Sequence, residues 1–242
     1  MSKLAEFASD QWGLVTRRQV EGAGISPATM TRLVADGSVL ERVGRGVYHL
    51  AGAPVPDHLE LRVAWLQLAP EVPVWRRAVA EGVVSHRSAA DLYGLGHLPA
   101  DVHTFTVPVR QRSRRPDVRL HVRELGDREW INARGLLVTR PSRIAADLLS
   151  EGEEPGAVAQ VVADALRGVY EYPGTFADEL APHASRLGFR RGDGLALLRS
   201  LLDLVGDPNS GRWLEEARTH QSYQSIDDSW LPPSPSTSRA GV

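Results

Sequence analysis

The order of patterns in residues 16–52, TRRQVEGAGISPATMTRLVADGSVLERVGRGVYHLAG, restricts the fold more than any other part of the chain. Two short helical patterns are separated by a glycine-containing turn, and the second runs directly into a hairpin pattern pinched by Gly44 and Gly46. Helix, turn, helix and hairpin is the element order of a winged helix-turn-helix. We therefore predict such a domain over residues 1–52, with double-stranded DNA as its partner.

Polar residues mark where these helices begin. The hydroxyls of Thr16 and Ser26 can each accept a hydrogen bond from a free amide two or three residues further on. Pro27 stands in the first turn of the second helix, where a missing N–H costs nothing. Gly37 provides the flexible residue that ends this helix.

A helix-turn-helix places the N-terminal part of its second helix against base edges in the major groove. The start of the preceding helix and the hairpin then contact phosphates or the minor groove. The residues that we predict to bind DNA are Ser26, Pro27, Ala28, Thr29, Thr31 and Arg32 in the second helix, Thr16, Arg17 and Arg18 at the start of the first, and Arg42 and Arg45 on the hairpin.

Charge indicates a local DNA-binding surface rather than an overall basic protein. The formal net charge is −2, which excludes a protein that coats nucleic acid through its total charge. Residues 1–56 hold six basic and five acidic residues, and most of the basic ones fall where a bound duplex would reach. Winged-helix domains also serve as protein-interaction modules, and this alternative stays open.

A Pro/Gly-rich linker, AGAPVP, separates the winged helix from a second region over residues 57–205. VHTFTVPV and VRLHVREL predict strands, whereas PGAVAQVVADALRGVY and GDGLALLRSLLDLVG predict amphipathic helices. We therefore predict an α+β fold, in which a mixed α/β domain with a small sheet flanked by helices follows the winged helix. Residues 206–242 turn to Pro, Ser, Asp and Thr and are predicted to form a flexible, disordered C-terminal tail.

The segment RQRSRRPD, between the two predicted strands, is the strongest concentration of positive charge. Neutralising phosphates would give this arm a salt-dependent affinity for DNA. A solvated hairpin tip is the alternative, and the arm could equally bind RNA or an acidic partner. The residues that we predict as additional phosphate contacts are Arg110, Arg112, Arg114 and Arg115.

Residues 13–52 are similar to the N-terminal winged helix of AbiEi-type antitoxins, the transcriptional regulators of type IV toxin–antitoxin systems. The residues that match the family pattern are Gly13, Gly24, Ile25, Leu33, Gly37, Leu40, Arg42, Gly46 and Tyr48. VVSHRSAADLYGLG, VHTFTVP and GLLVTRPSRIAADLL resemble parts of the C-terminal domain of that family. The resemblance implies a repressor that binds operator DNA in its own operon and counters a cognate nucleotidyltransferase-like toxin.

An enzymatic alternative comes from DLVGDPNSGRWLEEARTH, which resembles the segment leading into a restriction-endonuclease-like domain. Glu215 or Glu216 would stand near the first acid of that domain. A nuclease core needs further carboxylates and a lysine on paired strands to hold a metal ion and activate water. Only Asp227 and Asp228 follow, without a lysine, so we predict no enzyme and keep a degenerate or partial nuclease as the alternative.

Histidines offer no recognisable ligand pattern in the sequence. His86, His97, His103 and His121 lack the helical spacing with an acid that typifies a metal site, and the chain has no cysteine. We therefore predict structural histidines, no metal and no cofactor. A Ser/His/Asp triad of Ser85, His86 and Asp147 can be written down, but no nucleophile elbow supports it, and we predict no catalytic residues.

The sequence predicts neither a signal peptide nor a membrane span. The N-terminus MSKLAEFASDQWG has early acidic residues and no apolar core, which is unlike a signal peptide. The sequence holds no uncharged apolar stretch of about 18 residues, the length of a membrane span. We predict a cytoplasmic protein without a membrane partner, and the sequence yields no prediction of its oligomeric state.

Overall fold

The computed structural model describes residues 2–37 and 39–228, and they form the predicted α+β fold. The elements of the N-terminal part are α1 (Ser2–Ser9), β1 (Leu14–Thr16), α2 (Arg17–Gly22), α3 (Pro27–Asp36), β2 (Leu40–Gly44) and β3 (Val47–Leu50). The three strands form an antiparallel sheet in the order β1-β3-β2. The winged helix-turn-helix is thus confirmed, and β1 adds a third strand to its hairpin.

The predicted helix boundaries are confirmed by hydrogen bonds. The Thr16 hydroxyl accepts from the Gln19 amide over 3.2 Å, and the Gln19 side chain accepts from the Thr16 amide over 3.0 Å. The Ser26 hydroxyl accepts from the Thr29 amide over 3.2 Å at the start of α3. Gly37 ends α3 in the left-handed region, with φ of 66°.

The second part joins a five-stranded sheet to helices. Its elements are α4 (Leu59–Leu68), β4 (Val83–Val84), α5 (His86–Tyr93), β5 (His103–Val107), β6 (Val118–Val122), β7 (Trp130–Ala133), β8 (Leu136–Thr139), α6 (Pro141–Glu151), α7 (Pro155–Arg167), α8 (Pro173–Leu180), α9 (Gly194–Leu204) and α10 (Ser210–Asp228). Short 3₁₀ segments lie at Val74–Arg76, Val79–Glu81 and Ala181–Leu187. The sheet order is β6-β5-β4-β8-β7. The main core, between this sheet and the helices, includes the fully buried side chains of Trp65, Phe105 and Phe176.

The pairing of β5 with β6 corrects one expectation. These strands are parallel, with His103 opposite Val118 and Val107 opposite Val122. Residues 108–117 therefore cannot be a hairpin tip, because the chain must return along the length of β5 before β6 begins. This arginine-rich segment, called the arginine loop below, crosses from one end of the sheet to the other.

The structure corrects the predicted flexible tail, residues 206–242, over its first part. Residues 210–228 form α10, and the side chains of Trp213, Leu214 and Ala217 are buried. These apolar residues bring α10 against α8 and α9 and contribute to the main core. The rest of the predicted tail, residues 229–242, lies outside the described residues.

Apolar packing joins the winged helix to the second domain. Leu14 and Val47 from the small sheet and Val63 and Leu66 from α4 form one buried cluster. Polar contacts flank it, since the Thr16 hydroxyl donates to the Pro70 carbonyl. The position of the winged helix on the second domain is thus set by packing as well as by the linker. In the described part of the chain, no helix has the length and apolar character needed to cross a membrane.

Candidate nucleic-acid interface

The proposed reading helix α3 presents an open face to solvent. Ser26, Pro27, Ala28, Thr31 and Arg32 are exposed. On the opposite side, Met30 is 4% exposed and Leu33 and Val34 are half-buried, and they anchor α3 to the core of the winged helix. The second domain leaves the N-terminal face of α3 free to meet a partner.

Local hydrogen bonds distinguish the polar side chains of α3. The hydroxyls of Ser26 and Thr29 share a bond of 3.0 Å, and the Thr31 hydroxyl donates to the Pro27 carbonyl over 2.9 Å. Arg32 has no ion-pair partner among the described residues. Its guanidinium is therefore the donor on this face that needs no internal bond to be broken before it binds a base.

The three residues predicted to bind DNA at the start of α2 differ in their exposure to solvent. Arg17 and Arg18 are exposed, whereas Thr16 is fully buried and its hydroxyl is occupied by Gln19 and Pro70. Thr16 is therefore removed from the predicted phosphate contacts. The two arginines pair with acids, Arg17 with Glu21 at 2.7 Å and Arg18 with Glu71 at 3.7 Å. Such exposed ion pairs contribute little to the stability of the fold, so a phosphate can compete for the guanidinium groups.

The wing is the hairpin of β2 and β3, and it exposes both of its predicted arginines, Arg42 and Arg45. Near its tip, the wing packs against α4 so closely that a Cβ at Gly44 would lie 2.6 Å from Val63. Its tip is tied to α2, because the Arg17 amide donates to the Gly46 carbonyl over 2.8 Å. The wing is thus held in place on both sides.

The arginine loop also contains residues with two different roles. Arg110, Arg112 and Arg114 are exposed. Arg115 is half-buried and donates to Asp117 Oδ1 over 2.9 Å and to Gln67 Oε1 over 2.8 Å. This pairing with Arg115 lowers the pKa of Asp117 to about 2. Arg115 therefore anchors the loop, and its exposed neighbours are the ones available to phosphates.

The start of α2, the wing and the arginine loop meet around one cleft of about 780 Å³ between the two domains. The cationic residues that line it are Arg17, Arg18, Arg42, Arg45, Arg112, Arg114 and Arg115. None of its described lining residues is an aspartate or a glutamate. We call this feature the arginine cleft. It concentrates positive charge in a molecule whose formal net charge is −2.

Sequence reasoning predicted each of these arginines but not their convergence. The wing and the arginine loop are far apart in the chain and meet because α4 packs against both. Arg110 is not among the residues that line the cleft, and α3 does not line it either. Apart from Thr16 and Arg110, the structure thus divides the predicted residues between the open face of α3 and the arginine cleft.

The Ser/His/Asp triad that the sequence allowed, Ser85, His86 and Asp147, lacks the geometry of a proton relay. Ser85 Oγ lies 2.9 Å and Asp147 Oδ2 lies 4.0 Å from the same ring nitrogen, Nδ1 of His86. A relay needs the nucleophile and the acid at opposite nitrogens of the ring. Ser85 is also fully buried, so a substrate would not reach it.

The other histidines are arranged differently from the sequence expectation. The rings of His86 and His121 stack at a centroid distance of 3.9 Å, and a carboxylate oxygen of Glu151 lies close to a nitrogen of each. His97 is exposed. His103 faces Asp117 with Nε2 and Oδ2 4.0 Å apart. The grouping of His86, His121 and Glu151 could not be recognised in the sequence, because the three residues are far apart along the chain.

The acids of the nuclease alternative lie on a helix. Glu215 pairs with Arg218 at 3.2 Å and Glu216 with Arg212 at 2.8 Å, all within α10. A metal-dependent nuclease core would hold such acids on paired strands. The geometry at these two positions therefore gives the nuclease alternative no support.

An exposed reading helix, a wing and a cationic cleft are together the features of a DNA-binding transcriptional regulator. Residues 2–51 match the family model described as "Transcriptional regulator, AbiEi antitoxin". This match covers the winged helix and confirms the resemblance over that segment. No curated protein matches the chain.

Proposed function

We propose that the chain is a sequence-specific transcriptional repressor of the AbiEi antitoxin type that binds operator DNA in its own operon. In this proposal α3 enters the major groove and Arg32 reads a base edge. The observation that carries the proposal is the combination of an uncovered α3 with the arginine cleft. A cleft lined by arginines and no described carboxylates suits a phosphate backbone.

The division of labour within the proposed site follows from the contacts. Phosphate contacts fix the position of the protein on the duplex, whereas base contacts carry the sequence information. Arg42 and Arg45 on the wing, Arg17 and Arg18 on α2, and the arginine loop would hold the backbone. Ser26, Thr29, Thr31 and Arg32 would face the bases, with Pro27 and Ala28 packing against them.

The finer part of the proposal concerns a toxin. The family description includes the word antitoxin, and we propose that the chain counters a nucleotidyltransferase-like toxin encoded beside it. The site of action would be the cytoplasm, where the operator lies. Co-expression tests this part, since the chain should restore growth in cells that express the neighbouring reading frame.

Binding of the full chain to duplex DNA tests the central proposal. Fluorescence anisotropy would compare the upstream region of its own reading frame with a shuffled duplex of the same composition, at low and at physiological salt. We expect the upstream duplex to bind at least about 10³-fold more tightly at physiological salt. Equal affinity for both duplexes would contradict a sequence-specific repressor, and no binding at low salt would favour a protein-interaction module.

A further inference from the structure

Two histidines and a glutamate from three elements converge in the second domain, away from the proposed DNA-binding face. His86 begins α5, His121 lies on β6 and Glu151 ends α6. One nitrogen of each imidazole and one carboxylate oxygen lie within 4.8 Å of one another. Around a tetrahedral zinc ion with bonds of about 2.0–2.2 Å, ligand atoms are roughly 3.3–3.6 Å apart. Nε2 of His121 and Oε1 of Glu151 are already 3.2 Å apart, and the 4.8 Å limit for the group exceeds the zinc separation by at most about 1.5 Å.

We propose that His86, His121 and Glu151 bind a divalent transition-metal ion of the zinc class. Two imidazoles and one carboxylate are a ligand set that such ions favour over magnesium or calcium. Three protein ligands leave a fourth position for water. The proposal revises the sequence-based expectation of no metal and is independent of the proposed DNA-binding function.

Two buried polar atoms at or beside the cluster lack hydrogen-bond partners in the described part of the chain, and this supports a bound metal ion. Nε2 of His121 is buried and lies 3.2 Å from Glu151 Oε1, yet it makes no hydrogen bond with the described residues. Oδ2 of Asp147, on a side chain that is 6% exposed, also lacks a hydrogen bond within the described chain. The nitrogen of His121 and the carboxylate oxygen of Glu151 lie 3.2 Å apart without a hydrogen bond, which is how two ligands of one metal ion would be arranged.

The surroundings of His86 favour ligation through its other nitrogen. Nδ1 of His86 lies 2.9 Å from Ser85 Oγ and 4.0 Å from Asp147 Oδ2, which leaves Nε2 for a metal. Metal-binding histidines commonly direct their second nitrogen to such a polar partner, which fixes the ring orientation.

Glu151 is the member of the cluster that opens into a solvent-facing pocket. Glu151 lines a pocket of about 420 Å³ that also includes Thr104 and Arg119. The Arg119 guanidinium approaches the same carboxylate oxygen at 3.9 Å, on a side chain that is 62% exposed. Arg119 can therefore turn into solvent when a cation enters, and the carboxylate then has its lone pairs free for the ion.

Cobalt(II) titration of the full chain tests the site after treatment with a chelator. The visible absorption of Co²⁺ reports the ligand field directly, and Zn²⁺ added afterwards should displace the signal. The variants are His121→Gln and Glu151→Gln for the ligands and Ser85→Ala for the orienting partner. His97→Gln, which removes an exposed histidine outside the cluster, is the matched control.

We expect one Co²⁺ per chain in the unmodified protein and in His97→Gln, with no absorption change on adding Mg²⁺. His121→Gln and Glu151→Gln should each abolish the one-to-one signal, and Ser85→Ala should weaken binding about 10- to 100-fold. Circular dichroism identifies any variant that fails to fold, and in that case Glu151→Gln, on a partly exposed side chain, decides. No saturable binding, or equal binding by Glu151→Gln, would overturn the proposal.

Discussion

Gln67 donates a hydrogen bond from its side-chain nitrogen to the backbone oxygen of Arg45 over 2.8 Å. Its side-chain oxygen accepts from Arg115 over 2.8 Å. One amide on α4 therefore connects the tip of the wing to the arginine loop. The spacing between the two cationic segments of the arginine cleft depends on this side chain.

Replacing Gln67 with alanine should weaken binding to any duplex while leaving sequence preference unchanged. Each lost hydrogen bond is worth about 0.5–1.5 kcal/mol, and the looser cleft must be ordered on binding, so we expect affinity to fall about 3- to 10-fold. Anisotropy with the upstream and shuffled duplexes would measure both effects. Gln160→Ala removes a comparable bond, to Asp164 on α7, and should bind normally. Normal binding by Gln67→Ala would show that the cleft geometry does not limit affinity.

Much of the winged helix could be predicted because its signals are local. Thr16 and Ser26 cap helices through amides only three residues away. Gly37 and Gly46 adopt the positive φ that the end of α3 and the hairpin turn require. Such features need no knowledge of the rest of the chain. The same local reasoning wrongly assigned Thr16 to DNA, because Thr16 is buried and its hydroxyl donates to Pro70, which lies in the other domain.

The features that sequence reasoning missed depend on distant contacts. A short connection between two strand patterns suggested a hairpin, but β5 and β6 pair in parallel. The tail prediction was wrong for residues 210–228 because the average composition of this segment is polar, whereas Trp213, Leu214 and Ala217 lie on one buried face. The His86, His121 and Glu151 cluster was not predictable for the same reason, since the sheet and two helices bring its members together.

Arg32→Ala should reduce specific binding more than non-specific binding. If Arg32 contacts a base edge, its loss costs about 1–3 kcal/mol and relaxes preference at one position of the operator. Anisotropy with a set of single-base operator variants would reveal that position. Arg199→Ala removes an exposed arginine on α9 and serves as the charge-matched control. Equal losses on the upstream and shuffled duplexes would place Arg32 on the backbone and would mean that another residue reads the bases.

Replacing Arg112 and Arg114 together with alanine should lower the salt dependence of binding. Each phosphate contact contributes about 0.9 to the slope of log K against log salt concentration. The slope should therefore fall by about 1.8 if both residues bind phosphates, with equal effects on specific and shuffled duplexes. Arg190 and Arg191 are exposed and do not line the arginine cleft, so their double alanine variant is the control. An unchanged slope would remove the arginine loop from the proposed interface.

Leu66→Ala tests the apolar contact between the two domains. Leu66 is fully buried beside Leu14 and Val47 of the winged helix. Truncating such a leucine leaves a cavity and costs about 2–5 kcal/mol in the free energy of unfolding. Urea unfolding would measure this loss. Leu204→Ala on α9, where the side chain is 59% exposed, should change stability by no more than about 0.5 kcal/mol. Similar values for the two variants would mean that the domains do not share this cluster in solution.

Acid titration tests the anchor of the arginine loop. Arg115 lowers the pKa of Asp117 from 3.8 to about 2 in the folded protein. Because the folded pKa is depressed, this carboxylate stabilises the fold above the unfolded pKa, and the contribution is lost as the pH falls from about 4 towards 2. Asp117→Asn should therefore be less stable than the unmodified protein near neutral pH, and the difference should shrink in acid. The pair is partly exposed, so the neutral-pH difference should be only about 0.2–1 kcal/mol.

Urea unfolding at a series of pH values would measure the difference, with Asp127→Asn, at an exposed aspartate outside the cleft, as the control. The control should follow the unmodified protein throughout. A constant difference for Asp117→Asn across the acid range would show that ionisation of Asp117 contributes nothing to the loop.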